Sequence, residues 1–156
     1  MHQGRSEAVN PWDEPGEAHT RPPGVDDATV EALGKLSEAL EVVEQARGEL
    51  YAFHRLTGMA DLALGEAVEL LRSAGHEELA DRLSTELVGR NVIEGRWTFQ
   101  LVEEYDDGYY AAFREAERDA RDRLVEGRRH LFEAEMKEQR RTPGLRHHES
   151  RPAPRE

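Results

Sequence analysis

DATVEALGKLSEALEVVEQARGELYAFHRLTGMADLALGEAVELLRSA, residues 27–74, has no proline, few β-branched residues and no alternation of apolar with polar positions. Ala, Leu and Glu dominate it, and these side chains lose little on entering a helix. Leu33, Leu36, Leu40, Val43 and Leu50 recur at spacings of three, four and seven, which lines them up as one apolar stripe. Asp26 or Asp27 can cap the first exposed amides. Further on the apolar set changes face. At about 100° per residue, Met59, Ala63, Ala67, Leu70 and Ala74 point nearly opposite to the first stripe, and drift of about 20° per heptad recovers only part of the difference. A single straight helix would waste one of its faces, so the sequence predicts a break at Thr57-Gly58 between helices over 27–56 and 59–74.

Outward from this stretch, Ala74-Gly75-His76 reads as a helix stop and tight turn, followed by a third helix over 77–89. Gly89 and Gly95 bracket a connection. A last helix is expected over 96–140, about 68 Å at about 1.5 Å per residue, with Leu101, Tyr105, Ala112, Phe113, Ala116, Ala120, Leu124 and Leu131 on its inner side. Its second half is mostly charge, including Glu117 with Arg121 and Asp119 with Arg123 four apart. Such pairs stabilise an exposed helix by only about 0.2 to 0.5 kcal/mol each. The thin seam of Leu124, Leu131 and Phe132 therefore needs another surface, and self-association is the simplest source.

All seven prolines fall outside residues 24–142. That places a helical domain at 26–141, with an acidic Pro/Gly-rich arm at 1–25 and a basic tail at 142–156, both too polar to offset the entropy of ordering and expected to be disordered. The expected architecture is all-α, an antiparallel helical bundle or an elongated helical hairpin with a long C-terminal helix around one modest core.

Composition narrows the chemistry. The 156 residues include no cysteine, which removes disulfides, thiolate metal sites and cysteine nucleophiles. Only Lys35 and Lys137 are lysines among the 21 basic residues, a skew expected of a GC-rich bacterial coding sequence. The net charge of −12 is uneven: two arginines against five acids up to residue 26, a strongly acidic middle, and six basic residues against three acids from residue 137. An acidic body disfavours nucleic acid and anionic lipid, and Arg140, Arg141 and Arg146 are too few for more than salt-sensitive contact. The apolar runs fall far short of the roughly 20 residues that cross a bilayer, and the start has no apolar leader, so a soluble cytoplasmic protein is expected.

The most unusual segment is GRNVIEGRWTFQLVEEYDDGYYAAF, residues 89–113. It concentrates Trp97, Phe99, Tyr105, Tyr109, Tyr110 and Phe113 beside Glu94, Glu103, Glu104, Asp106 and Asp107. Aromatics supply contact area and carboxylates orient a ligand, so Trp97, Tyr105, Tyr109, Tyr110 and Glu94 are candidates for a small-ligand pocket or partner surface. The bland account is a bundle that buries its aromatics and solvates its acids. The part GRNVIEGRWTFQLVEEYDDGYY resembles a stretch shared by an uncharacterised family of small helical bacterial proteins, over about residues 40–140. That resemblance implies fold and compartment and carries no functional residue.

Other chemistry finds little support. A ferritin-like two-metal site needs Glu-x-x-His pairs, and none occurs: Glu49 precedes His54 by five residues and Glu126 precedes His130 by four. Glu49, His54, Glu66 and Glu103 remain a set that could converge across helices as a carboxylate metal site. Arg47 and His54 continue the first apolar stripe, where His54 is expected to bond a facing carboxylate and Arg47 to reach the surface along its stem. His147-His148 is a weak adventitious pair. There is no Gly-x-Ser-x-Gly elbow and no Gly-rich phosphate loop, and HEEL at His76 is not a zinc motif because position 80 is Ala. No catalytic residue and no cofactor are expected; the partners expected are a second copy or another helical protein.

Overall fold

The computed structural model describes residues 10–152 and is all-helical, with no β-strand among those residues. Helix α1 spans Asp27–Ser73, α2 Glu77–Glu86, α3 Thr98–Tyr105, α4 Ala111–Val125 and α5 Leu131–Arg140. A π-helical segment, Asp106–Tyr110, joins α3 to α4, and a single 3-10 turn, Glu17–His19, precedes α1. Asp26 caps α1 by accepting the Thr29 amide at 2.8 Å. Gly75, at φ +88°, ends α1 in the left-handed conformation that glycine adopts cheaply.

Two expectations fail here. The break at Thr57-Gly58 does not occur: α1 runs through it unbroken. The apolar stripe of its first half continues inward as Val43, Arg47, Leu50, His54, Thr57, Asp61, Leu64, Val68 and Leu71, alternating four and three residues apart, all buried or half-buried. Four polar residues occupy apolar slots in that line, which is why it is hard to see in the sequence. The set used to argue for a kink, Met59, Ala63, Ala67, Leu70 and Ala74, lies exposed instead. The last helix, in turn, is not continuous over 96–140. It stops at Val125, turns through Glu126 (φ 56°), Gly127 (φ 72°) and His130 (φ 57°), and resumes as α5. The Gly127 amide reaches back to the Arg121 carbonyl at 3.1 Å, closing the end of α4 as a helix stop does.

A single core is expected and two compact units are found. One comprises the described residues up to Leu40 with those from Glu115 onward; the other is Glu41–Arg114. A helix of 47 residues, about 70 Å at about 1.5 Å per residue, is far longer than one small core can cover.

The first unit packs Val30 against Val125 and Leu131, with Val25 and Leu33 beside them. The turn after Val125 is what lets both Val125 and Leu131 bury. Gly34 lies so close to Phe132 that a Cβ there would sit 3.1 Å from its Cβ and Cγ. Glu117 is buried, held by Arg121 at 3.0 Å and by the Ser37 hydroxyl at 3.3 Å, so its charge is paired as burial requires. Of the arm and tail expected to be loose, 1–9 and 153–156 lie outside the described residues. Where they are described, they are tied together. Arg141 donates to the Asp13 carboxylate at 2.6 Å and to its carbonyl at 2.7 Å, and Gly144 donates to the other Asp13 oxygen at 2.9 Å. Arg151 lies over the Trp12 ring at 5.3 Å. Charged and aromatic anchors thus supply contacts that apolar content alone does not.

Candidate functional site

In the Glu41–Arg114 unit, the inward line of α1 meets the aromatic segment through paired polar groups. Arg47 forks onto Asp106, with Nε to Oδ1 at 2.7 Å and a second nitrogen to Oδ2 at 3.1 Å. The Tyr51 hydroxyl donates to the same carboxylate at 3.3 Å. The hydrogen bonds from Arg47, helped by its charge, hold the Asp106 carboxyl below the ordinary aspartate range and push the Arg47 guanidinium higher still. The Tyr110 hydroxyl donates to Glu44 at 2.6 Å, and that bond, with burial, raises the phenol above its ordinary value. Arg47 and Arg114 stack over the Tyr110 ring at 4.6 and 5.5 Å.

The π segment sets this alignment. Thr98, Val102, Asp106 and Tyr110 recur strictly every four residues, and on an α-helix each such step turns the line by about 40°. The wider π turn winds it back, so that Asp106 and Tyr110 both reach α1. The remaining polar groups of the inward line are also satisfied. His54 Nδ1 and the Thr98 hydroxyl share a hydrogen bond of 2.7 Å, Thr57 donates to the Phe53 carbonyl at 2.7 Å, and Asp61 accepts the Gly89 amide at 2.8 Å. His54 therefore bonds a hydroxyl where a carboxylate was expected, and Arg47, expected to reach the surface along its stem, forks onto Asp106.

The expected pocket residues separate. Trp97 lines a cleft of about 700 Å³ between Thr57, Ala60, Asp61 and Leu64 of α1 and the segment from Leu87 to Thr98. Trp97 is 59% exposed, and its ring packs edge-on against Phe99 at 5.2 Å. Tyr105, Tyr109 and Tyr110 do not line that cleft; they pack on one another, with ring centres 5.8 and 6.5 Å from Tyr105. Tyr110 is buried and Tyr109 exposed, and Glu94 lies exposed in the turn where Ile93 pairs with Arg96. Glu49, His54, Glu66 and Glu103 are not brought together: among the described residues no three His, Asp or Glu side chains form a group that could hold a metal ion. Glu49, Glu66 and Glu103 are all exposed.

What the sequence reading missed is the outer side of α1. Val42, Ala46, Glu49, Phe53, Leu56, Ala60, Ala63, Ala67, Leu70 and Ala74 alternate four and three residues apart, and every one is exposed. This line runs one residue ahead of the inward line, about 100° around the helix. Leu56 is 63% exposed, Leu70 71%, and the flanking Met59 61%. An unbroken alternation of four and three is the signal that finds it, because that spacing keeps one seam facing a partner helix. Apolar residues of this length left in water are unusual in so regular an array. Among the described residues, no helix is long and apolar enough to cross a membrane. Comparison with protein-family models, curated proteins and solved structures finds no match to the chain.

Proposed function

We propose that the chain is a non-enzymatic helical interaction protein that self-associates through the outer seam of α1. The observation that carries this reading is the row of exposed apolar side chains on one flank of a helix whose inner flank is already paired. Magnitudes support a modest association. Covering Leu56, Met59 and Leu70 is worth about 1 to 2 kcal/mol each, and six such side chains in a pair of chains give on the order of 6 to 12 kcal/mol. The loss of translational and rotational freedom costs about 4 to 15 kcal/mol, so the balance fits a concentration-dependent dimer rather than a permanent one. The docking face differs from the charged last helix favoured by the sequence, because Leu131 is consumed by the core and Phe132 packs on Gly34.

Sedimentation velocity over a concentration series tests the proposal. The natural chain is expected to shift toward dimer as concentration rises, while Leu56→Glu with Leu70→Glu stays monomeric with unchanged helical circular dichroism. A natural chain that stays monomeric throughout overturns it.

A second reading, a small-ligand site, is favoured by one observation, the cleft of about 700 Å³ with Trp97 on its wall. Its size suits a metabolite-sized molecule. Quenching or a blue shift of Trp97 emission by compounds from a metabolite library, absent in Trp97→Phe, supports it; a library that leaves the emission unchanged removes it.

A further inference from the structure

We infer that the occupant of the outer seam is the same seam of a second copy running antiparallel, with the two-fold axis between Ala60 and Ala63; the inference rests on the docking reading above. Two observations lead to it. The first is shape. Pairing residues whose numbers add to 123 sets Ala60 against Ala63 at the centre, Leu56 against Ala67 on either side, and Phe53 against Leu70 outside them. Large side chains meet small ones on both sides of the axis, and alanine at the centre lets two helix backbones approach closely.

The second is charge. Glu49 is the one charged residue within the seam. A parallel, in-register pair would press it against its own copy, and like charges so placed repel. In the antiparallel pair it faces Ala74 near the end of the partner helix.

Because the chain has no cysteine, single introduced thiols report orientation without background. A tagged chain carrying Leu56→Cys is mixed with an untagged chain carrying Ala67→Cys, oxidised, and resolved by size; both positions are exposed, so neither change touches a core. A disulfide needs Cα atoms within about 7 Å. Antiparallel pairing predicts the mixed disulfide in at least about tenfold greater yield than either homodimer, because like positions are then offset by about 16 Å or more along the axis. Parallel pairing gives the reverse, Leu56→Cys linking to itself, and that result overturns the inference while leaving the docking face intact. A sedimenting dimer with no disulfide in any mixture moves the interface elsewhere and overturns both readings. Absence of any dimer at about 100 µM removes the docking reading itself.

Discussion

Val68 and Leu70 are two residues apart on α1, yet one is 3% exposed and the other 71%. The assignment of the two faces rests on that contrast, and paired truncations test it. Val68→Ala removes two buried methyl groups, worth about 0.8 kcal/mol each by transfer, plus a cavity cost of about 24 cal/mol per Å³ left empty; the sum is about 1.5 to 3 kcal/mol. Leu70→Ala removes more carbon but from a side chain already in water, so in the isolated chain it is worth less than about 0.5 kcal/mol. Urea unfolding followed by circular dichroism, at a concentration low enough to hold the chain monomeric, separates them. With a slope of about 1 to 3 kcal/mol per molar, Val68→Ala lowers the midpoint by about 1 M and Leu70→Ala by no more than a few tenths. At high concentration the Leu70 variant then loses ground, because the natural chain gains stability from association and the variant does not. Equal losses in dilute solution would refute the face assignment, and with it the seam.

Four further outcomes follow from other parts of the molecule. Gly58 lies mid-helix with nothing within 4 Å of an added Cβ, so Gly58→Ala stabilises by about 0.5 to 1 kcal/mol, whereas Gly34→Ala gains less because of Phe132; a loss at Gly58 in thermal unfolding would mean that α1 bends there after all. The Asp106 carboxyl is held low by Arg47, so its contribution is complete above the ordinary aspartate value of about 3.9 and is lost as pH falls below that; Asp106→Asn flattens this acid limb of stability. Tyr110 is raised, so its bond to Glu44 contributes below about pH 10 and is lost as pH rises through the folded value; ultraviolet titration shows one of the four tyrosines ionising late, and Tyr110→Phe removes it. Arg141→Ala frees Asp13 and Gly144, and limited proteolysis within residues 10–25 is expected to accelerate severalfold; an unchanged rate argues that this ion pair does not hold the arm.

The all-helical class was legible because the proline-free middle is rich in helix formers with apolar residues three and four apart. The face of α1 was not. Arg47, His54, Thr57 and Asp61 interrupt the buried line as polar residues, and the partners of Arg47, His54 and Asp61, namely Asp106, Thr98 and Gly89, come from segments distant in sequence. A reading by hydropathy drops those four positions and sees a stripe that vanishes after Leu50. The line beside it, apolar but for Glu49, then looks like the core, although it is the side left in water. The turn after Val125 was hidden for a different reason. Glu126 and His130 adopt left-handed backbone, which non-glycine residues enter only where packing rewards it, and the reward is the burial of Leu131. The aromatic segment does not form one surface: its tyrosines serve one another and α1, and of its aromatic residues only Trp97 lines the cleft.

The π segment holds one residue more than an ordinary α-helix needs to cover the same arc, since its hydrogen bonds span five residues where those of an α-helix span four. Deleting Gly108 alone would let Asp106–Tyr110 close as ordinary α-helix with Tyr110 keeping nearly its direction, so that Arg47 still meets Asp106 and the Tyr110 hydroxyl stays near Glu44. Removing a second residue would turn Tyr110 by about 100° and part its hydroxyl from Glu44. The segment acts as a winding adjustment that absorbs one change of chain length and not two.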